Sequence, residues 1–60
     1  MNNIKIGNVC RVISQHSHNP SQYGDLVLIT GKVIDLILTG KNLKTDKQHH
    51  YNYHELEIIA

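Results

Sequence analysis

Sixty residues make one small domain with a marginal core. With 40% hydrophobic and 18% charged residues, the chain is too apolar and too lightly charged for an intrinsically disordered protein. A formal net charge of +1 excludes a strongly basic nucleic-acid footprint over the whole chain, and one cysteine excludes an intrachain disulfide.

The residue types favour strands. Val and Ile are stiff at χ1 and suit a pleated surface, Phe and Trp are absent, and the good helix formers are sparse. Gly7-Asn8 marks a turn, and a first strand is expected over about 9–14, with Cys10 and Val12 on one face and Val9, Arg11 and Ile13 on the other. Ile4 and Ile6 read as an inward pair that pins the N-terminal arm. A polar loop follows over 15–24, punctuated by Asn19-Pro20 and Tyr23-Gly24. Loops this long inside a small domain are often functional.

From Asp25 to Thr39 the chain reads as extended, with a bulge or bend at Gly31. Both faces of this stretch are apolar, which is the pattern of a strand covered on two sides. Thr39-Gly40-Lys41-Asn42 reads as the next turn, 43–45 as a short strand and Asp46-Lys47 as a hairpin tip. A strand over 48–53, a helical turn at 54–56 and a last short strand at 57–59 complete the pattern. The expected class is all-β: about five short antiparallel strands, with a single helical turn before the last.

Two segments carry a resemblance. Ile4-Lys5-Ile6-Gly7-Asn8-Val9-Cys10-Arg11-Val12 resembles the hydrophobic-Lys-hydrophobic-Gly-Asp-x-Val-x-Val opening of small SH3-like barrels of the KOW type, with Asn8 where that family has aspartate. Tyr51 to Ile59 is similar to their closing segment, where a short helical turn gives a leucine to the core and the last apolar pair returns to strand one. The resemblance implies a small SH3-like barrel over residues 1–60 that binds a partner and does not catalyse. Barrels this small also resemble phage-encoded or bacterial accessory proteins that bind host factors or sequester small molecules. The implied partner is therefore a protein or nucleic acid, or, in a second reading, a nucleotide or other small anion trapped between subunits.

Three groups of residues are candidates for that binding. His16 and His18 lie in the polar loop and His49, His50 and His54 near the closing turn; imidazole is a common metal ligand, but no fixed ligand spacing accompanies them. They are read as exposed polar residues, and neither metal nor cofactor is expected. Lys41, Lys44 and Lys47 with Tyr23, Tyr51 and Tyr53 would form a cationic, aromatic surface together with His16 and His18; the plainer reading of these lysines is a solvated strand edge. No nucleophile-base-orienter set and no glycine-rich phosphate loop is present, so no catalytic residue is named. The third group is the apolar excess itself. Leu26, Leu28, Ile34, Leu36 and Leu38 alternate with other aliphatics, and about half of such a stretch faces outward in a monomer. That predicts a homo-oligomer interface. The single thiol and an N-terminus without an apolar leader lead us to expect a cytoplasmic setting, with no membrane contact.

Overall fold

β-Branched and leucine side chains build one antiparallel sheet, as their preference for a pleated surface requires. The computed structural model describes residues 3–14 and 21–60. Its strands are β1 (Val9–Val12), β2 (Leu26–Ile34), β3 (Ile37–Asn42), β4 (Lys47–Asn52) and β5 (Leu56–Ile58), with one 3-10 turn, Tyr53–Glu55, before β5. The spatial order is β4-β3-β2-β1-β5. The fold class is all-β, as the residue types predicted. Among the described residues no helix is long and apolar enough to cross a membrane.

The ladder does not close into a barrel: β4 and β5 are the two edges. The 3-10 turn spans the gap between them. Its first residue, Tyr53, donates its N–H to Leu36 O, and its last, Glu55, accepts from Ile13 N–H. Backbone groups at the gap are thus satisfied by a turn instead of a ladder.

One face of the sheet is the core. Cys10 and Val12 from β1, Val27 and Ile29 from β2, Leu38 from β3, Tyr51 from β4 and Leu56 from β5 meet there, joined by Ile4. The registers explain the grouping, because directly opposed residues share a face. Cys10 opposes Val27 and Ile58, Val12 opposes Leu56, and Leu38 opposes Tyr51. The expected split of β1 therefore holds: Cys10 and Val12 point in, Arg11 out. Burial pushes the Cys10 thiol above its ordinary value, so it stays protonated and inert.

Several expected boundaries move, each for a visible reason. Ile4 reaches the core but Ile6 is 68% exposed, since the chain turns after it and Gly7 N–H is tied to Ile29 O. β1 stops at Val12 because the next N–H, of Ile13, leaves the ladder for the 3-10 turn. The extended stretch is broken at Asp35-Leu36, where β2 folds back onto β3; the register runs Ile34 to Ile37 across this turn, with shifts between Ile29 and Gly31 and between Lys32 and Ile34. Residues 39–42 are strand and residues 43–45 are turn, the reverse of the expectation, while Asp46 is turn as expected and Lys47 already opens β4. Gly40 is not a turn glycine. A Cβ there would overlap Val27 Cγ1 and come within 3.3 Å of Tyr51 Cε1, so the glycine admits these two side chains to the core. The 43–46 turn is held by the Asn42 side chain, whose Oδ1 accepts from Lys44 N–H at 2.8 Å and Thr45 N–H at 3.3 Å, and Asp46 takes the left-handed conformation that Asp tolerates.

Candidate binding face

The side of the sheet away from the core is apolar along its middle. Leu26 and Leu28 of β2 alternate with the buried Val27 and Ile29 and so point outward. Leu28 opposes Val9 on β1 and Lys41 on β3; Leu26 opposes Arg11; beyond the bulge, Gly31 opposes Thr39 and Ile34 opposes Ile37. A stripe therefore runs from Leu26 through Leu28 and Gly31 to Ile34, flanked by Val9 and Ile37. Leu26 is 41% exposed and Ile34 54%. Val33 and Leu36 extend the apolar surface over the β2–β3 hairpin tip.

Ion pairs stand around this stripe. Arg11 Nη2 lies 2.9 Å from Glu57 Oε1 on the β5 side. Lys41 Nζ lies 2.8 Å from Asp46 Oδ1 on the β4 side. A third pair, Lys32 Nζ and Asp35 Oδ1 at 3.6 Å, sits at the hairpin end but not on this face, since Lys32 opposes the buried Leu38. Apolar centre and polar rim are the ordinary anatomy of a protein interface.

Of the predicted interface residues, Leu26, Leu28, Ile34 and Leu36 lie on this face or at its tip. Leu38 does not: it is fully buried, since its partner across the ladder is Tyr51 on the core side. The cationic, aromatic surface does not assemble. Tyr51 is 1% exposed and its hydroxyl is committed to Ser21 Oγ at 2.6 Å. Tyr53 packs half-buried against the core, edge-on to His54 at 5.6 Å. Lys41 opposes Gln48 on the outer face while Lys47 opposes Asn42 on the core side, so these two lysines point apart; Lys44 is exposed in the turn between them. Tyr23 is exposed in the turn before Asp25. His16 and His18 lie outside the described residues. His49 meets Tyr51 edge-on at 6.3 Å, and His50 opposes Thr39 on the outer face. Among the described residues no group of three or more His, Cys, Asp or Glu could hold a metal ion.

Beneath the sheet lies a polar cluster that the sequence reading missed. Ser21 and Asn42 are buried. Asn42 Nδ2 donates to Ser21 Oγ at 3.1 Å and to Asp25 Oδ2 at 3.0 Å, and Ser21 continues to the Tyr51 hydroxyl. Asp25 also accepts from Gln22 N–H at 2.9 Å. That backbone bond, then the Asn42 amide, holds the Asp25 carboxyl below its ordinary range. Burial outweighs the Ser21 bond and pushes the Tyr51 phenol above its own. Glu55 is 1% exposed; its Oε1 accepts from Asn52 N–H at 3.1 Å and its Oε2 has no hydrogen-bond partner. An Asn just ahead of a turn is a usable sequence signal for Asn42. Asn52-x-x-Glu55 is likewise a capping-box signal for Glu55, whereas nothing comparable flags Ser21, whose partners Asn42 and Tyr51 lie far away in sequence. The cluster joins β2, β3 and β4 to the end of the polar loop at Ser21, and that is a structural task. No protein-family model matches the chain, and no curated protein or solved structure matches it.

Proposed function

We propose that the chain is a non-catalytic binding module with an SH3-like strand arrangement, and that it engages a protein through the outer face of β1, β2 and β3. The strand order β4-β3-β2-β1-β5 and the 3-10 turn before β5 support the SH3-like reading. The observation that carries the function is the apolar stripe Leu26, Leu28, Ile34 with its rim of ion pairs. Nucleic acid is the weaker partner: Tyr51 is buried, the lysines point apart, and Lys41 is already neutralised by Asp46. A stacking platform over a positive groove needs both features.

A photoreactive benzoylphenylalanine placed at Leu26 or Ile34 in tagged protein, irradiated in cells, tests the reading. A discrete protein adduct at both positions, and none with the same group at the exposed Lys47 on the core side of β4, is the expected result. Adducts to nucleic acid alone, or face adducts no stronger than those at Lys47, would overturn it.

A further inference from the structure

We propose that the occupant of this face is a second copy of the chain, docked about a two-fold axis that passes close to Gly31. The proposal rests on the reading of the outer face as the binding face, and names its partner.

The first observation is Gly31 itself. Its φ is not in the left-handed region, and a Cβ there would make only ordinary contacts, 3.6 Å from Thr39 Cβ and 3.8 Å from Thr39 Oγ1. Neither its backbone nor its own chain demands glycine, although glycine weakens a strand interior. Gly40, one strand away, shows the opposite case, in which Val27 and Tyr51 leave no room for a side chain. A bare backbone in mid-strand, on the outer face beside Thr30 and Thr39 and between Leu28 and Ile34 along the stripe, is suited to close approach by another backbone.

The second observation is charge. The two ion pairs that flank the stripe, Arg11 with Glu57 and Lys41 with Asp46, each couple one cation to one anion of the same chain. The face offers no net charge to steer an acidic or basic partner, and two identical faces meet without like-charge repulsion. Gln48, His50 and Asn52 are the polar groups that β4 contributes to this side. A two-fold contact requires self-complementarity, residue against residue in both senses. With the axis near Gly31, Leu26 of one copy approaches Ile34 of the other, and each end of the stripe covers the opposite end.

The third is size. A standard specific interface takes about 800 Å² from each partner. That is about a fifth of the 3938 Å² this chain exposes, and about one face of a molecule whose Cα extents are 25 × 21 × 19 Å.

Sedimentation equilibrium from about 1 µM to about 1 mM tests the proposal, in the concentration range where a weak specific dimer of this size dissociates. The wild-type chain should approach the mass of two 6.8 kDa subunits. Gly31→Ala should stay folded, because the added Cβ makes only ordinary contacts in its own chain, yet weaken the dimer at least about tenfold, or 1.4 kcal/mol. Ile34→Lys should do the same, and carries the test alone should Gly31→Ala fail to fold. Lys47→Glu, on the core side of the edge strand β4, should leave the dimer unchanged. A single-subunit mass at the highest concentration, or unchanged dimerisation in both face variants, would overturn the second copy as occupant. A monomer that still gives a photo-adduct to a different protein at position 34 would leave the binding face standing; a monomer with no adduct would remove both readings.

Discussion

Replacing Gly40 by alanine puts a methyl group where the core has none to spare. The added Cβ would overlap Val27 Cγ1 and press Tyr51 Cε1 at 3.3 Å and Cδ1 at 3.4 Å. Val27 cannot yield easily, since a β-branched side chain has few χ1 choices and is itself fully buried. Tyr51 is held at its far end by Ser21. Overpacking of this kind costs about 1–3 kcal/mol, against a gain of about 0.5–1 kcal/mol from replacing a strand glycine. The net loss should be about 1–2 kcal/mol, which in a domain this small lowers Tm by roughly 5–15 °C. Thermal melts at fixed protein concentration measure it, since self-association would otherwise shift Tm. The decisive comparison is the double variant. Val27→Ala removes Cγ1, so Gly40→Ala should cost at least about 1 kcal/mol less in that background than in the wild type. A Gly40→Ala protein as stable as wild type, or a cost that does not depend on Val27, would refute the argument that this glycine exists to admit the valine and the tyrosine.

Two further predictions concern the buried polar cluster. Asn42→Ala should destabilise by about 2–4 kcal/mol, since it removes the bonds to Ser21 and Asp25 and frees the Lys44 and Thr45 amides; urea unfolding measures the loss, faster hydrogen exchange at those two amides locates it, and a loss below about 0.5 kcal/mol contradicts it. Asp25 has a depressed folded-state pKa, so its contribution is complete above the ordinary aspartate range and disappears as pH falls through the lower folded value; stability measured from about pH 5 down to about pH 2 should fall less steeply in Asp25→Asn than in the wild type, and identical slopes would exclude Asp25 as a contributor.

What the sequence made legible is what local chemistry decides. Alternation across Val9-Cys10-Arg11-Val12 set the faces of β1, because side chains along a strand alternate whatever the strand packs against. The abundance of β-branched residues set the class. What it hid were features decided across the ladder. Gly40 looks like a turn residue on its own, and only the approach of Val27 shows why a strand interior has a glycine there. Asp35-Leu36 carries neither Gly nor Asn, so the hairpin between β2 and β3 gave no turn signal. Missing it misplaced the segment that follows, which is why Thr39 to Asn42 read as turn and Leu43 to Thr45 as strand; the last two strands and the helical turn between them fall within one residue of their expected bounds. For the binding surface, residue type misled: Tyr51 and the lysines suggested a ligand site, but the register sends Tyr51 into the core and separates Lys41 from Lys47.

The same register accounts for where the apolar excess goes. An antiparallel sheet this small covers one face with its own chain, and here that face takes Val27, Ile29 and Leu38, which closes the core without help from Leu26 or Ile34. Adding more core would require a second layer that sixty residues do not supply. The polar cluster of Ser21, Asn42 and Tyr51 reinforces this limit from below. It fills space next to the core with hydrogen-bonded groups, which fasten Ser21 and the 43–46 turn. Leu26, Leu28 and Ile34 are thereby held outward by the packing of their own strand. Substituting them by lysine should accordingly disturb what the chain meets, and leave how it folds intact.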